Sequence, residues 1–368
     1  MKLTNTFIRE YFSYKRPHAS TTEQEWIERY IIPALGDNYW QDGAGNIHYD
    51  SRIIPATGEI SRTLFVAHTD SVHPEAGRQK VVIDKDKIVH VDGGECLGAD
   101  DGAGALVLLS LIEAKVPAYY IFTRCEERGG VGAKHLADTY PDLLAQFDRA
   151  IAFDRRGTSS VITHQGWGRC CSDTFADALS EALCTDELMY IPDDTGVYTD
   201  TAEFVGLIPE CTNISVGYVN EHTKNETQDL AHLQALINHV ITMDWEALPT
   251  ERDPAKVDED NEMFMYSHEA VYALGGYKCE DYSDYNMSVY DACIEALDGE
   301  PDYLLYMVAE AINPADPDEV YEQIWNMPLP QYLLTNCKRQ VDYAEDDEQT
   351  ARALVDLYQA VVNDNIFQ

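Results

Sequence analysis

Four times along the chain a short run of β-branched and aromatic residues ends and an acidic or histidine side chain follows within a few positions. Thr63-Leu64-Phe65-Val66-Ala67 leads into His68-Thr69-Asp70, and Ala118-Tyr119-Tyr120-Ile121-Phe122-Thr123 leads into Glu126-Glu127. Arg149-Ala150-Ile151-Ala152-Phe153 leads into Asp154, and Asn213-Ile214-Ser215-Val216-Gly217-Tyr218 precedes Asn220-Glu221-His222-Thr223. Short apolar runs of this kind suit fully buried strands, and parallel sheets bury their strands on both faces. Such sheets gather functional groups at the carboxyl ends of their strands, so the four clusters are expected to converge at one rim.

Helical stretches alternate with these runs. They are expected over 102–114, about 131–138, 173–184 and 199–205, and from Asp229 to about Trp245, where Leu230, Leu233, Leu236, Ile237, Val240 and Ile241 repeat at helical spacing. The alternation predicts an α/β domain with a mostly parallel central sheet and helices on both faces. Ahead of it, a short helix is expected from Asn5 to Tyr14. Thr22-x-x-Glu25 opens a second helix in capping-box form, carrying Trp26, Ile27, Tyr30, Ile31 and Leu35. Asp42 to Asn46 turns into a strand around Ile47 to Tyr49, and further strands are expected over 159–163 and 188–191. Leu248 to Pro254 reads as an exit. It divides the chain into a main domain over 1–250 and an acidic, mainly helical C-terminal region over 251–368, where no chemical motif stands out and His268 and Cys279 have no companions.

The formal charge is −39 over 368 residues, and the region after residue 250 contributes 27 acidic against six basic side chains. A surface of that sign repels phosphate backbones and anionic membranes and favours cations, so neither nucleic acid nor membrane is an expected partner. No apolar run approaches the roughly 18 residues needed to span a bilayer, and Met1 to Arg16 lacks the apolar core of a signal peptide. Nine cysteines without regular spacing point to a reducing, cytoplasmic location. The adjacent Cys170-Cys171 reads as a pair of small buried residues rather than a redox or metal pair.

The segment Leu97-Gly98-Ala99-Asp100-Asp101-Gly102-Ala103-Gly104 sets two carboxylates among small residues that let a backbone approach other groups closely. With His68, Glu127, Asp154 and His222, Asp100 completes a ligand set for two divalent ions. Activation of water by such a pair needs ions about 3.5–4 Å apart, a bridging carboxylate, further ligands and a nearby base. Three carboxylates against two dications leave one positive charge, which a bridging hydroxide neutralises. Asp70, two residues after His68, is placed to orient the imidazole. The Glu126-Glu127 pair suits a division of labour, with Glu127 on a metal and Glu126 as general base.

Taken in order, His-Thr-Asp, Gly-Ala-Asp-Asp-Gly, Glu-Glu, Phe-Asp and Asn-Glu-His-Thr resemble the motifs of the co-catalytic di-zinc exopeptidase superfamily, which includes tripeptidase T, carboxypeptidase G2, aminoacylase and the bacterial leucyl aminopeptidases. The resemblance covers about residues 20–245. It implies His68 and Asp154 on one metal, Glu127 and His222 on the other, Asp100 bridging, Asp70 as orienter and Glu126 as base. It also implies a cis peptide between Asp100 and Asp101. Only 68 positions separate Asp154 from His222, too few for the lid and dimerisation domain of some members, so the chain looks closer to the lidless aminopeptidases.

Side chains near the motifs are candidates to replace lid-borne groups. Tyr218 is a candidate oxyanion donor or a core side chain. Arg155-Arg156 would clamp a substrate carboxylate or neutralise the acidic site. Asp194, Asp200 and Glu203 are candidates to bind a free α-amino group. His164 reads as structural, and His73, His90 and His135 receive no role. The expected activity is a zinc-dependent exopeptidase, foremost an aminopeptidase on small peptides that uses a metal-bridging hydroxide. An N-acyl amino acid deacylase or a dipeptidase would use the same apparatus. A non-hydrolytic metal-binding interaction protein and a one-metal acyl transferase resembling glutaminyl cyclases are the readings from other classes. Manganese or cobalt would also suit the donors.

Overall fold

The apolar runs become strands whose alternate residues feed two cores. The computed structural model describes residues 2–93, 95–165 and 168–256, all within one compact unit. Strands β1 (Tyr39–Gln41), β2 (Ile47–Asp50) and β3 (Thr63–His68) belong to the central sheet, whereas β4 (Val81–Ile83) and β5 (Ile88–Val91) start a second one. The chain returns to the centre with β6 (Tyr119–Thr123), β7 (Arg149–Arg155), β8 (Ser160–Ile162), β9 (Ile191–Asp193) and β10 (Glu210–Ser215). It then adds β11 (Tyr218–Val219) and β12 (Thr227–Asp229) to the second sheet.

The eight-stranded central sheet has the order β9-β8-β10-β7-β3-β6-β2-β1. Its middle strands β10, β7, β3 and β6 are mutually parallel, and β9 also runs parallel to β8. Antiparallel pairs join β8 to β10, β6 to β2 and β2 to β1. The carboxyl ends of β10, β7, β3 and β6 therefore lie along one edge.

Side-chain alternation along β3 separates the faces. Phe65 and Ala67 enter a large core with helices α1 (Asn5–Tyr11), α2 (Thr21–Trp26), α3 (Ala99–Glu113), α5 (Asp173–Leu183) and α6 (Leu230–Val240). Leu64 and Val66 enter a smaller core on the other face, beneath α4 (Val131–Thr139) and Phe204 to Ile208. Helix α3 is buried along nearly its whole length, as a helix must be that is apolar on every side. It presses so hard on β7 that a Cβ on Gly104 would lie 2.6 Å from the Phe153 carbonyl oxygen and 2.3 Å from Asp101 Oδ1.

Several boundaries differ from expectation for local reasons. The cap of α2 is Ser20, whose side chain accepts from Glu23 N, because the Thr22 hydroxyl donates instead to the Lys15 carbonyl. The strand expected over 188–191 begins only at Ile191, since Leu188 and Tyr190 turn into the core and the Tyr190 hydroxyl donates to Ser215 O. The run from Asn213 to Tyr218 splits: register shifts between Asn213 and Ser215, and Gly217, at φ +98°, turns the chain into the second sheet. The helix expected over 199–205 is a 3-10 turn, Asp200–Phe204. Helix α6 stops at Val240, and Trp245 packs edge-on against Phe65 from a separate turn. The C-terminal helices expected beyond residue 256, with His268 and Cys279, lie outside the described residues.

The second sheet, β11-β12-β5-β4, is all antiparallel and escaped the sequence reading. Its signal was legible in Val81-Val82-Ile83-Asp84-Lys85-Asp86-Lys87-Ile88-Val89-His90-Val91, two β-rich runs about a polar turn with Lys87 at φ +69°.

Candidate metal centre

Strand β3 delivers His68 to the rim. Its Nδ1 donates to the Asp70 carbonyl oxygen at 3.2 Å, which turns Nε2 toward the carboxylates. Nε2 lies 3.0 Å from Asp100 Oδ1, 3.8 Å from Asp154 Oδ1 and 3.9 Å from Glu126 Oε2. The Asp70 carboxylate is 3.7 Å from Nδ1 and accepts from the amides of Glu126 (3.1 Å) and Glu127 (3.3 Å). The Asp70 backbone carbonyl thus holds the imidazole, while the carboxylate that was expected to orient it anchors the turn presenting the Glu-Glu pair.

Asp100 lies between two histidines. The peptide linking it to Asp101 is cis, and both residues depart from helical φ/ψ at the start of α3. Its second oxygen, Oδ2, is 3.1 Å from His222 Nε2, and that nitrogen is 3.0 Å from Glu127 Oε2. Two triads result, His68 with Asp100 and Asp154, and Asp100 with Glu127 and His222. Within each, the donor atoms lie within 4.8 Å of one another. All five residues that the sequence nominated as ligands therefore meet, and they share one carboxylate.

Asp154 lies within β7 rather than after it. Its oxygens accept from the hydroxyls of Tyr218 (3.0 Å) and Thr199 (2.7 Å), while the Asn213 amide group brackets its backbone. The Tyr218 hydroxyl therefore holds Asp154 in place, which removes it as a ready oxyanion donor.

Burial, reinforced by Glu127, Asp200 and Asp100, pushes the Glu126 carboxyl well above its ordinary range against the pull of His68. Burial and Asp100 raise Asp154 and Glu127 likewise. For Asp100, burial opposes the charge, but hydrogen bonds to His222 and His68 hold the carboxyl well below its usual value. His222 is lifted to about 11 by Asp100 and Glu127 although burial works against its charge. Crowded carboxylates of this kind are relieved by cations, whose charge inverts the local pKa balance. The donors suit divalent ions: imidazole nitrogen with carboxylate oxygen is a zinc-type mixture, and buried Glu127 Oε1 has no hydrogen-bond partner.

The triads open into a cleft of about 440 Å³, lined also by Arg155, Arg156, Val197, Tyr198 and Glu221. Arg155 reaches across to Thr195, donating to its hydroxyl (2.8 Å) and carbonyl (3.1 Å), and its Nε is buried without a partner. Arg156 is mostly exposed and pairs with Glu221 at 3.3 Å. The candidates for a free amino group fare differently. Asp194 is exposed away from the cleft lining, and Glu203 accepts from the Tyr198 hydroxyl. Asp200 is buried beneath the rim on the Thr123 hydroxyl and does not line the cleft, so its nomination as a substrate contact is not supported. His164 pairs with Thr163, and Cys170 and Cys171 are buried outside either triad.

Three supporting residues went unnominated. Arg16, fully buried over the Trp26 ring, donates to the carbonyls of Thr69 and Gly98 and so ties the His68 loop to the Asp100 loop. Asp101 accepts from the amides of His68 (3.3 Å) and Gly104 (2.9 Å). Glu226 accepts from the amides of residues 97–100. Adjacency to Asp100 and to the His222 motif was the only sequence signal for the last two.

The parallel-centred sheet with helices on both faces is a fold that this chain shares with solved peptidase structures. Aminopeptidase PepT from Bacillus cereus aligns at a TM-score of 0.54 and 16% identity, over 64% of this chain and 95% of that one. A tripeptidase from Staphylococcus aureus aligns at a TM-score of 0.50 and 16% identity, again over 64% and 95%. No protein-family model and no curated protein matches the sequence.

Proposed function

We propose that the chain is a metal-dependent hydrolase that cleaves an amide bond in small peptides, as an aminopeptidase-type exopeptidase. The observation that carries this reading is Asp100, whose two oxygens face His68 Nε2 at 3.0 Å and His222 Nε2 at 3.1 Å. In this reading His68, Asp100 and Asp154 hold one divalent ion and Asp100, Glu127 and His222 the other, with zinc as the metal that best fits the donors. When bound, such a pair polarises a carbonyl and makes water acidic enough to attack at neutral pH.

The protein's own groups do the rest. Glu126 lines the cleft beside His68 and, as a carboxylate, takes the proton from the attacking water and passes it to the leaving amine. Asp70 fixes the imidazole and, through the Glu126 amide, the base. Tyr218 and Thr199 hold Asp154. Arg155, pre-oriented by Thr195, supplies the cleft with a cation for a substrate carboxylate. The carboxylates that line the cleft attract an α-ammonium group.

A second reading rests on Arg155 alone, because a dipeptide or an N-acyl amino acid also presents a carboxylate there. A cytoplasmic location fits the six free cysteines among the described residues, where no helix is long and apolar enough to cross a membrane. The test is a metal-reconstituted assay across aminoacyl, dipeptide, tripeptide and N-acyl substrates, run beside Glu126→Gln. Turnover of peptides with a free N-terminus supports the aminopeptidase reading, and turnover of N-acyl substrates alone replaces it with a deacylase. A Glu126→Gln protein as active as the parent ends the proposed mechanism.

A further inference from the structure

The amides of four consecutive residues around the shared carboxylate point at one buried side chain. Glu226 is 2% exposed. Its Oε2 accepts from Leu97 N (2.7 Å) and Gly98 N (2.8 Å), and its Oε1 from Ala99 N (2.8 Å) and Asp100 N (3.1 Å). A buried amide left unpaired is destabilising, so this loop conformation depends on an acceptor that spans all four. Only a carboxylate offers two acceptor oxygens on one short side chain.

The origin of that side chain matters. Glu226 stands four residues after His222, in the loop joining β11 to β12. The hairpin is closed by the Tyr218–Gln228 and Val219–Thr227 pairs, and the Glu226 amide is tied to Thr223 O at 3.1 Å. One short loop therefore carries both His222 and the clasp on the segment bearing Asp100. His222 itself is half exposed and sits at φ +63°, so its distance to Asp100 depends on where its loop is docked.

The structure assigns Glu226 as the positioning residue that docks the His222 loop onto the Asp100 loop and thereby builds the second metal site before the ion arrives. The assignment rests on the two-ion reading given above. Gln at this position has one acceptor oxygen, and its NH2 group would confront two amide donors. Half of the clasp becomes repulsive while the shape is kept.

The experiment is metal titration of the stripped protein by calorimetry with zinc and cobalt, for the parent and for Glu226→Gln. The parent is expected to take two ions. In Glu226→Gln the second is expected to bind roughly 10- to 100-fold more weakly, the range for loss of a group that orients metal ligands, with a smaller change in the first. Leu179→Ala, a buried change in α5 remote from the site, controls for lost stability and should keep both affinities. Parent-like binding of both ions by Glu226→Gln overturns the assignment. Should that variant not fold, hydrogen exchange of the stripped parent decides: slow exchange of the 97–100 amides supports a preformed clasp, and exchange at the unprotected rate refutes it. A parent that binds only one ion removes the two-ion reading, and the exchange measurement still judges Glu226.

Discussion

His68 and His222 face the same carboxylate at nearly equal distances, yet they are held in opposite ways. His68 is 1% exposed, ends a central strand and has Asp70, Asp101 and Arg16 packed around its loop. His222 is 50% exposed on a hairpin loop outside the central sheet. The contrast teaches that one half of the centre inherits its geometry from the sheet, whereas the other must be docked. A tight, rigid site next to a looser, exchangeable one is the expected consequence.

The strongest way to break this comparison is through the residue both halves share. Asp100→Asn is expected to disturb both triads, with metal analysis finding fewer than two ions and kcat/KM down on the order of 10³-fold, equivalent to several kcal/mol. A variant retaining two ions would show that the halves do not depend on a common carboxylate. Next in size is Glu126→Gln, expected to keep its metal content while turnover falls roughly 10²- to 10⁴-fold. Loss of metal instead would move Glu126 among the ligands.

The comparison is sharpened by paired variants. His222→Ala should bind one ion at parental affinity and recover part of its activity in excess metal. His68→Ala leaves buried carboxylates unpaired and should not be rescued. Equal rescue in the two would erase the distinction between docked and inherited halves.

Acid provides a subtler probe of the buried half. His73 stands behind the Asp100 loop, with Nδ1 2.8 Å from Ser71 Oγ and Nε2 3.0 Å from Cys96 O. Burial, helped by Arg16, lowers its pKa from 6.5 to about 4. The unfolded chain therefore takes up a proton between pH 6.5 and 4 that the folded chain refuses. The associated stability is complete above about 6.5, drains away as pH falls toward 4 and changes no further below that. At about 1.4 kcal/mol per pH unit the loss is on the order of 3 kcal/mol. Denaturant melts of stripped protein at pH 7 and 4.5 should show a drop that is smaller in His73→Asn, and identical drops would refute the assignment. The smallest expected effect is Gly104→Ala, which must shift α3 away from β7 and should destabilise by about 1–3 kcal/mol in the same melts.

How far the sequence could be read follows the same division. His68 ends a buried strand, Asp154 lies near the end of one and Glu127 follows a third, and strands buried on both faces announce themselves as unbroken apolar runs. Their meeting at one edge was therefore foreseeable. Asp100 was found through its motif, and His222, expected after a fourth run, stands instead on a hairpin loop because that run splits at Ser215 and Gly217. Glu226 was passed over for a simple reason: in a chain with 65 acidic residues, adjacency to the His222 motif does not single out one glutamate until its four amide partners are seen. Asp200 was misjudged on the same ground, since composition cannot distinguish a carboxylate facing the cleft from one bonded beneath it to Thr123. The second sheet was missed because its strands are only two to four residues long, and the pairing that joins its two hairpins, β12 with β5, links positions far apart in the chain.

That distance has a consequence for how the molecule comes into being. Glu226 reaches back 126 to 129 positions to the amides it clasps, and Gln234 reaches back 231 to Leu3. On the ribosome, every residue of the first triad is exposed to solvent well before the second can be assembled. A nascent chain would thus hold the residues of one triad alone until the β11–β12 hairpin has emerged and docked.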